Sequence, residues 1–429
     1  MRTWRRRLAL LPAVALATSG CFGGSNSAAS FPPEIGIGVL APQSGPNKDA
    51  GIDSVRGAQL AADLINSNNP GITLPLASGI GLPNLGGARI KIVAKDTQGD
   101  DQLGADETTA LVTDDHVSAL VGAFDPDVTQ AASQRAERLQ VPFINADSSA
   151  TFLTERGLDW YFGLGPSVRT TGEAFFSLLQ RQAKAGKQTK NIALLYTADR
   201  AGNDVATVVS ELADEGQYRL LSLGVSPGSG DFTGAITKLQ AARPNAVFVV
   251  VASAAMPTLL ANFATQATTY TPDAIFAFRS GFLAPSVTQQ AGPAITGVCR
   301  EATWSYELAS RNAVGRAVVQ LYQKKYNTAM TDEAATSFTA VLTTAQGINA
   351  AGSTAAQAIR SGLLALDIPG DQTIMPWKGV QFDETHQNTN AQSIVEQFVD
   401  RSFHPIFPVD ASSRSFAWPA SSAATAGPA

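Results

Sequence analysis

Residues 246–251 read Ala-Val-Phe-Val-Val-Val, an apolar run without a single polar interruption. A strand with one face in water alternates apolar and polar residues, whereas a strand of a parallel sheet is buried on both faces and reads as a continuous apolar run. The run therefore predicts a central strand of a parallel sheet that is covered by helices on both sides.

The same cadence of short apolar runs and longer amphipathic stretches extends along most of the chain. Further strands are predicted at Ile35–Leu40, Ile90–Lys95, Ala119–Val121, Phe143–Asn145, Ile192–Tyr196, Ala274–Phe278 and Thr296–Cys299. Helices are predicted at Asp53–Asn66, Gly104–Asp114, Thr129–Leu139, Ser167–Lys184, Asp204–Glu215, Phe232–Ala242 and Arg311–Tyr326. This alternation predicts an α/β fold with doubly wound parallel sheets. Because about 400 residues exceed what one core supports, we expect two lobes.

The amino terminus has the residue order of a secretory signal peptide, which we assign to residues 1–20. Three arginines, 5–7, precede an apolar stretch, 8–17, that is about half as long as a transmembrane helix. Small residues then lead to Cys21. This order resembles a bacterial lipobox, in which the cysteine carries lipid and residues 21–33 form a flexible tether. The alternative is an ordinary signal peptide in which the cysteine occurs by chance.

Charge and composition narrow the range of partners. Residues 1–20 contain four arginines and no acidic residue, so the remaining chain is acidic. It has neither a basic patch nor a run of like charge, so we expect no nucleic-acid partner. A stretch rich in glycine and proline, 67–87, predicts a long loop, and the Ala/Ser/Pro-rich segment 411–429 predicts a disordered tail.

The residues that most enzymes and metal sites require are missing from the sequence. The three histidines, at 116, 386 and 404, lack the spacing of a metal site or a catalytic dyad. No Gly-x-Ser-x-Gly elbow occurs, and Gly186-Lys187 lacks the rest of a phosphate loop. Cys299 lies in an apolar stretch and is expected to be a buried structural thiol. We therefore expect no enzyme activity, no metal and no cofactor.

Five segments in one order resemble the leucine/isoleucine/valine-binding protein family. The first two read IGIGVLAPQSGP and GAQLAADLIN, at 35–46 and 57–66. The next two are the strand-to-helix loop 121–129 and VPFINADSS, at 141–149, which runs into Leu153-Thr154-Glu155-Arg156-Gly157. The last is GVQFDE, at 379–384, with Gln387-Asn388. Each segment is weak alone, but their order and spacing cover about residues 34–408.

The resemblance implies a type I periplasmic binding protein fold, in which two lobes joined by three crossing strands close on a ligand. It assigns residues 34–164 and 302–378 to lobe 1, and residues 165–301 and 379–410 to lobe 2. Hinges are expected near Leu164-Gly165, 297–301 and 378–382. Such a protein delivers its ligand to the permease subunits of an ABC importer, and we expect it to act as a monomer. A ligand-sensing receptor module of the same fold and a secreted α/β enzyme remain alternatives.

In open α/β sheets, ligands bind beyond the carboxyl ends of the strands, where helix amino termini offer free N–H groups. Together with the resemblance, this rule predicts contacts with the ligand from two sides of a cleft. The predicted contacts are Phe124, Asp125, Asp147, Ser148 and Ser149 from lobe 1, and Arg279 and Ser280 from lobe 2. The alternatives are a plain helix cap for the serines and a salt bridge for Arg279.

Several ligand positions of the family are occupied by other residue types in this chain. An expected serine, aromatic residue and tyrosine correspond to Pro126, Ala50 and Ala201, and a second tyrosine corresponds to residue 252 or 253. The acidic residue expected to hold an ammonium group falls near Arg279-Ser280, and an arginine would repel that group. These departures add an anionic or amide-containing compound to the branched-chain amino acids as candidate ligands.

Overall fold

Two large β-sheets flanked by helices, together with a small two-stranded sheet, make up the computed structural model, which describes residues 31–266, 270–278, 282, 286–409, 412 and 414–420. The predicted signal peptide and most of the predicted tether lie outside these ranges. Among the described residues, no helix is both long enough and apolar enough to span a bilayer.

The first sheet has five parallel strands in the order β2-β1-β3-β4-β5. The strands are β1 (Glu34–Ala41), β2 (Arg89–Asp96), β3 (Ala119–Val121), β4 (Phe143–Asn145) and β5 (Tyr161–Gly163). Their helices are α1 (Lys48–Ile65), α2 (Asp101–Thr113) and α3 (Pro126–Leu139). The chain starts inside the sheet and winds out to both edges, which is the doubly wound order.

The second sheet has seven strands, and five of them form its parallel part. These are β6 (Asn191–Thr197), β7 (Arg219–Val225), β8 (Ala246–Val250), β9 (Ala274–Ala277) and β10 (Cys299–Ala302). The helices are α4 (Val168–Lys184), α5 (Arg200–Glu215), α6 (Thr233–Ala242), α7 (Met256–Gln266) and α8 (Ser286–Ala291).

The rest of the chain returns to the first sheet and then completes the second. Its helices are α9 (Tyr306–Ala309), α10 (Ala313–Tyr326), α11 (Asp332–Ala351) and α12 (Ala356–Leu364). Its strands are β11 (Ile368–Pro369), β12 (Gly379–Val380), β13 (Ile394–Val399) and β14 (Ser402–Phe407). Helix α11 packs on α1, β3 and β4, whereas β13 and β14 extend the second sheet as antiparallel strands.

The apolar run that begins at Ala246 forms the central strand β8, which pairs in parallel with β6 and β9. Its five residues are all buried. Phe248 and Val250 pack into one hydrophobic cluster under α4 and α5, and Val247 and Val249 pack into a second cluster under α6 and α7. Each such side chain stabilises the fold by about 1.5 to 3 kcal/mol relative to exposure. The predicted α/β class with parallel sheets is therefore confirmed.

Helix α11 packs closely on α1, and a glycine of α1 lies at the point of contact. A methyl group at Gly57 in α1 would clash with the carbonyl oxygen of Ala334 in α11. Glycine removes this obstacle, so the two backbones can touch. The approach matters for the site described below, because it places Thr336 of α11 beside the loop that follows β4.

The predicted helices and strands match the observed ones with a few systematic shifts. Four helices begin three to five residues earlier than predicted, and in two of them a polar side chain upstream of the apolar pattern caps the first turn. Asp100 accepts a hydrogen bond from Leu103 N at the start of α2, and Asp199 accepts one from Gly202 N at the start of α5. The strand predicted at 296–299 lies instead at 299–302. The left-handed backbone of Gly297, with φ of 84°, ends the preceding turn and delays the strand.

The described part of the predicted disordered tail is packed. The Phe416 and Trp418 rings contact each other at 5.7 Å between centroids and pack against the second sheet. Ala417 N donates to Gln397 Oε1 at 2.9 Å, and Gln397 Nε2 donates to the Ala417 carbonyl at 3.1 Å. The prediction of disorder therefore does not hold for residues 414–420, because two aromatic side chains in an Ala/Ser-rich segment suffice to anchor it.

Candidate ligand-binding cavity

A cavity of about 150 Å³ lies where loops of the two sheets face each other. The first sheet contributes the loop after β3, with Phe124 and Asp125, and the loop after β4, with residues 146–150. The second sheet contributes the carboxyl ends of β8, β9 and β10 and the first turns of α4 and α5. All these parts lie beyond the carboxyl ends of parallel strands, which is where open α/β sheets bind ligands.

The loop after β3 presents an aromatic ring and a carboxylate to the cavity. Phe124 is buried and has a left-handed backbone, with φ of 81°, which a bulky residue adopts only when its surroundings hold it there. Asp125 precedes α3, and its Oδ1 accepts a hydrogen bond from Asn47 Nδ2 at 3.2 Å. Its Oδ2 is buried and has no hydrogen-bond partner among the described residues. Burial raises the pKa of this carboxyl above its ordinary value.

The loop after β4 is folded around the side chain of Asn145, the last residue of that strand. Its Nδ2 donates to the Ser148 carbonyl at 2.7 Å and to Tyr161 Oη at 2.8 Å. Its Oδ1 accepts from the backbone N–H of Asp147 at 3.2 Å and of Ser148 at 3.0 Å. One buried amide thus fixes the backbone of residues 147–148, and Thr336 Oγ1 donates to Asp147 Oδ1 at 2.6 Å from α11.

Asp204 joins the two sides of the cavity. It lies in the second turn of α5, and its Oδ2 accepts a hydrogen bond from the backbone N–H of Thr151 at 2.9 Å. Thr151 opens a short 3-10 helix, Thr151–Leu153, directly after the predicted ligand loop. Burial raises the pKa of the Asp204 carboxyl, although this hydrogen bond and the nearby Arg200 act in the opposite direction.

Two further contacts near Asp204 also join the first-sheet side of the cavity to the second-sheet side. The Arg200 guanidinium lies 3.7 Å from the centroid of the Phe152 ring and 3.5 Å from Asp127 Oδ1. The backbone N–H of Val168 donates to the Ser149 carbonyl at 3.0 Å. Loops of the first sheet and helices of the second therefore meet around the cavity.

Two of the three histidines and the described cysteine make structural contacts, and the third, His116, is exposed and lies outside the cavity lining. His386 stacks on Phe162 at 4.8 Å between centroids, and its Nδ1 lies 3.1 Å from the Tyr161 carbonyl. His404 Nδ1 lies 3.1 Å from Glu307 Oε2. Cys299 is fully buried, and burial raises the pKa of its thiol well above the ordinary value. No group of three or more potential metal ligands occurs within the described ranges.

The five ligand residues predicted for the first lobe line this single cavity: Phe124, Asp125, Asp147, Ser148 and Ser149. Their role as ligand contacts stays a prediction. Arg279, Ser280 and Cys21 lie outside the described residues, although Phe278, next to Arg279, lines the cavity.

Sequence reasoning missed the residues that line the cavity from α4, α5, β10, the segment directly after β10 and the position before β13. These are Thr171, Asp204, Val205, Glu301, Thr303 and Ser393. Asp204 could have been found from the sequence. It lies one helical turn after Ala201, which the family resemblance places at a ligand position. Glu301 was missed because the strand that carries it was placed three residues too early.

The chain is similar to known proteins over most of its length. Residues 34–400 match the periplasmic binding protein family. The chain is similar to Leu/Ile/Val-binding protein homolog 7 of Brucella suis biovar 1, with 25% identity over 405 residues, which cover 92% of this chain and 96% of the relative.

Two solved structures show the same fold. A putative branched-chain amino acid ABC transporter from Silicibacter pomeroyi has a TM-score of 0.75 at 20% identity, covering 90% of this chain and 99% of that chain. A solute-binding protein of an ABC transporter from R. palustris, in complex with benzoate, has a TM-score of 0.66 at 18% identity, covering 87% and 95%. The predicted type I periplasmic binding protein fold is thereby confirmed.

Replacing Asn145 should destabilise the protein more than removing any one of its partners. In Asn145→Ala, four hydrogen bonds of a buried side chain are lost, so we expect the free energy of unfolding to fall by about 2 to 4 kcal/mol. The matched control Tyr161→Phe removes only the bond to Tyr161 Oη and should cost about 1 kcal/mol. Urea unfolding measures both. Equal losses in the two variants would contradict the assignment of Asn145 as the organiser of the loop.

Proposed function

This chain belongs to the periplasmic binding protein family, and on that premise we propose that it is the extracytoplasmic solute-binding component of an ABC importer. Its ligand is an amino-acid-like small molecule: a branched-chain amino acid, an amide or a related compound. The observation that carries the proposal is a cavity that both sheets line at the carboxyl ends of their strands. It brings together all five ligand residues predicted for the first lobe.

The dimensions and walls of the cavity support a small ligand with an apolar body. A cavity of about 150 Å³ in another protein has room for one benzene ring. Phe124, Val205 and Phe278 supply apolar walls, while Ser149 and Asp204 supply polar groups. This mixture of apolar surface and a few polar groups is typical of small-molecule sites. Two comparisons agree with this class, since one relative is called a Leu/Ile/Val-binding protein and one structural neighbour holds benzoate.

We further propose that binding occurs without turnover. The cavity is lined by carboxylates, hydroxyls and apolar groups, whereas the three histidines and Cys299 lie outside its lining. A hydrolase of the serine or cysteine type needs a nucleophile within hydrogen-bond reach of a base that activates it. Neither such pair nor a metal cluster occurs around this cavity among the described residues.

The two sheets also support the proposed lobes. Lobe 1 comprises residues 34–164 and 302–378, and lobe 2 comprises residues 165–301 and 379–410. All five strands of the first sheet and the helix α11 that packs on them fall within lobe 1. All seven strands of the second sheet fall within lobe 2, except that β10 ends at Ala302, one residue past the proposed boundary. The chain then passes between the two groups three times, close to the expected hinges.

A thermal-shift screen of the purified chain tests the proposed function. It should include amino acids, amides, short peptides, urea and small carboxylates, because a ligand stabilises the folded state by RT ln(1 + [L]/Kd). We expect at least one of these compounds to raise the melting temperature without being consumed. Ser149→Ala should weaken binding by about 1 to 3 kcal/mol, since its hydroxyl can hydrogen-bond a charged group of the ligand.

The matched control for that variant is Ser210→Ala, an exposed serine on α5 outside the cavity, which should bind as the unchanged chain does. If product accumulates catalytically, the binding-only proposal fails. If Ser149→Ala and Ser210→Ala bind the best ligand equally well, Ser149 is not a contact.

We also propose that Cys21 carries a lipid that holds the protein on the outer face of the plasma membrane. The order of basic, apolar and small residues before it supports this proposal. Two acyl chains on one cysteine give a stable anchor, whereas one chain gives only marginal binding. The anchor would keep the protein beside the permease subunits.

Replacing the proposed lipid-bearing residue should release the protein from the membrane. In Cys21→Ala no thiol is left to alkylate, so fractionation of cells should move the protein out of the membrane fraction. Cys299→Ala is the control, because this thiol is buried in the second sheet, and it should leave the fractionation unchanged. A Cys21→Ala protein that stays with the membranes would refute the anchor.

A further inference from the structure

Arg200, the first residue of α5, reaches across to the first-sheet side from a position outside the cavity. We infer that Arg200 and Phe152 form a latch between the two proposed lobes, which slows release of the ligand without touching it. This inference rests on the proposed function, because it concerns how long the proposed site retains its ligand.

The latch is a contact between a cation and an aromatic ring. The Arg200 guanidinium lies over the Phe152 ring, 3.7 Å from its centroid, well inside the roughly 6 Å at which an aromatic face attracts a cation. Phe152 belongs to proposed lobe 1 and Arg200 to proposed lobe 2. Neither of them is among the described residues that line the cavity. Opening of the lobes would separate the guanidinium from the ring, whereas replacing either residue leaves the lining of the cavity in place.

The contact acts on the segment that directly follows the predicted ligand loop. Phe152 is the central residue of the 3-10 helix after the cavity-lining residues 146–150. Its neighbour Thr151 donates its backbone N–H to Asp204 Oδ2 at 2.9 Å. Asp204 lies four residues after Arg200, so both side chains project from the same face of α5. Two adjacent residues of the short helix are therefore held from one face of α5.

An arginine at the start of α5 does not serve the helix that carries it. The amino terminus is the positive end of the helix dipole, so a cation in the first turn is slightly destabilising. Asp199 already caps the helix by accepting from Gly202 N at 2.8 Å. Besides the charge of Asp204, the groups that favour a cation here are the Phe152 ring and Asp127 on the opposite side. The position of Arg200 is therefore best explained by contacts across the cavity.

The aromatic ring should contribute more to the latch than the carboxylate of Asp127. The Asp127 side chain is 70% exposed, and its Oδ1 lies 3.5 Å from the guanidinium. Exposed ion pairs contribute little because water and salt screen them. Arg156 also offsets part of this attraction, since burial and then the nearby charge of Arg200 lower its pKa. Attraction to the ring depends less on this balance of charges.

Release rates of matched variants test the inference on the full chain. The probes are L-leucine, L-leucinamide and benzoate, and stopped-flow mixing followed by tryptophan fluorescence measures association and release of each probe that binds. Arg200→Gln removes the cation, and Phe152→Leu removes the aromatic face but keeps an apolar side chain. Each should speed release about two- to fivefold, the size expected of a partly exposed cation–π contact, and should change association by less than about twofold.

A double variant shows whether the two residues act through each other. Once one partner is gone, removing the other should have no further effect. Arg200→Gln combined with Phe152→Leu should therefore release the probe no faster than the faster single variant. Asp127→Asn should speed release less than Phe152→Leu does, because its ion pair is exposed.

Arg169→Gln is the matched control. Arg169 pairs with Glu211 and Glu215 of α5, so its contacts lie within proposed lobe 2, and the variant should release the probe as the unchanged chain does. Equal release by Arg200→Gln and Arg169→Gln would overturn the inference and leave the proposed function standing, as would rate effects of Arg200→Gln and Phe152→Leu that multiply in the double variant. If none of the three probes binds the unchanged chain, the inference fails together with the ligand class of the proposed function.

Discussion

Burial of both faces of its parallel strands is the constraint on which the rest of this structure depends. Strand β8 directs Phe248 into one cluster and Val249 into the other, so helices must cover both sides of the sheet. Once both faces are covered, only the loops at the ends of the strands remain free to form a site. Phe124, Asp147 and Asp204 therefore lie beyond the carboxyl ends of the strands in the two sheets. These strand ends face each other across the cavity.

Within that frame, a few buried polar contacts decide the shape of the site. Asn145 fixes the loop after β4 through four hydrogen bonds, and Thr336 reaches the same loop from α11. Asp204 then connects this loop to the second sheet through Thr151 N. Burial of apolar side chains thus positions the strand ends of the two sheets. The polar contacts determine which hydrogen-bond donors and acceptors remain without a partner in the protein. The contact between Asp204 and Thr151 N also joins the loop after β4 to the second sheet.

The sequence predicted those parts of the fold that have a clear local pattern. Continuous apolar runs identified the buried strands, and family motifs identified Phe124, Asp147 and Ser149. Helix α11 was not predicted because threonines such as Thr336 and Thr344 are buried on several sides of it, so no polar face marks its period. Strand β5, which is as short as the correctly predicted β3 and β4, was also not predicted.

Contacts between distant residues had no local signal in the sequence. Asp204 and Thr151 are 53 positions apart, and nothing in either segment indicates the other. The packed segment 414–420 has the composition of a disordered tail, and its order depends on Gln397 and on the aromatic side chains of the second sheet. Such features follow from tertiary contacts, which a single sequence without its fold does not display.

We propose that two lobes hold a small ligand between them. Most residues that line the cavity are buried or half-buried, so we expect the lobes to close further when a ligand binds. Small-angle X-ray scattering with and without the tightest compound of the thermal-shift screen tests this directly. We expect the ligand-free chain to have the larger radius of gyration and saturation with ligand to lower it. An unchanged scattering curve, with binding verified by calorimetry in the same sample, would contradict it.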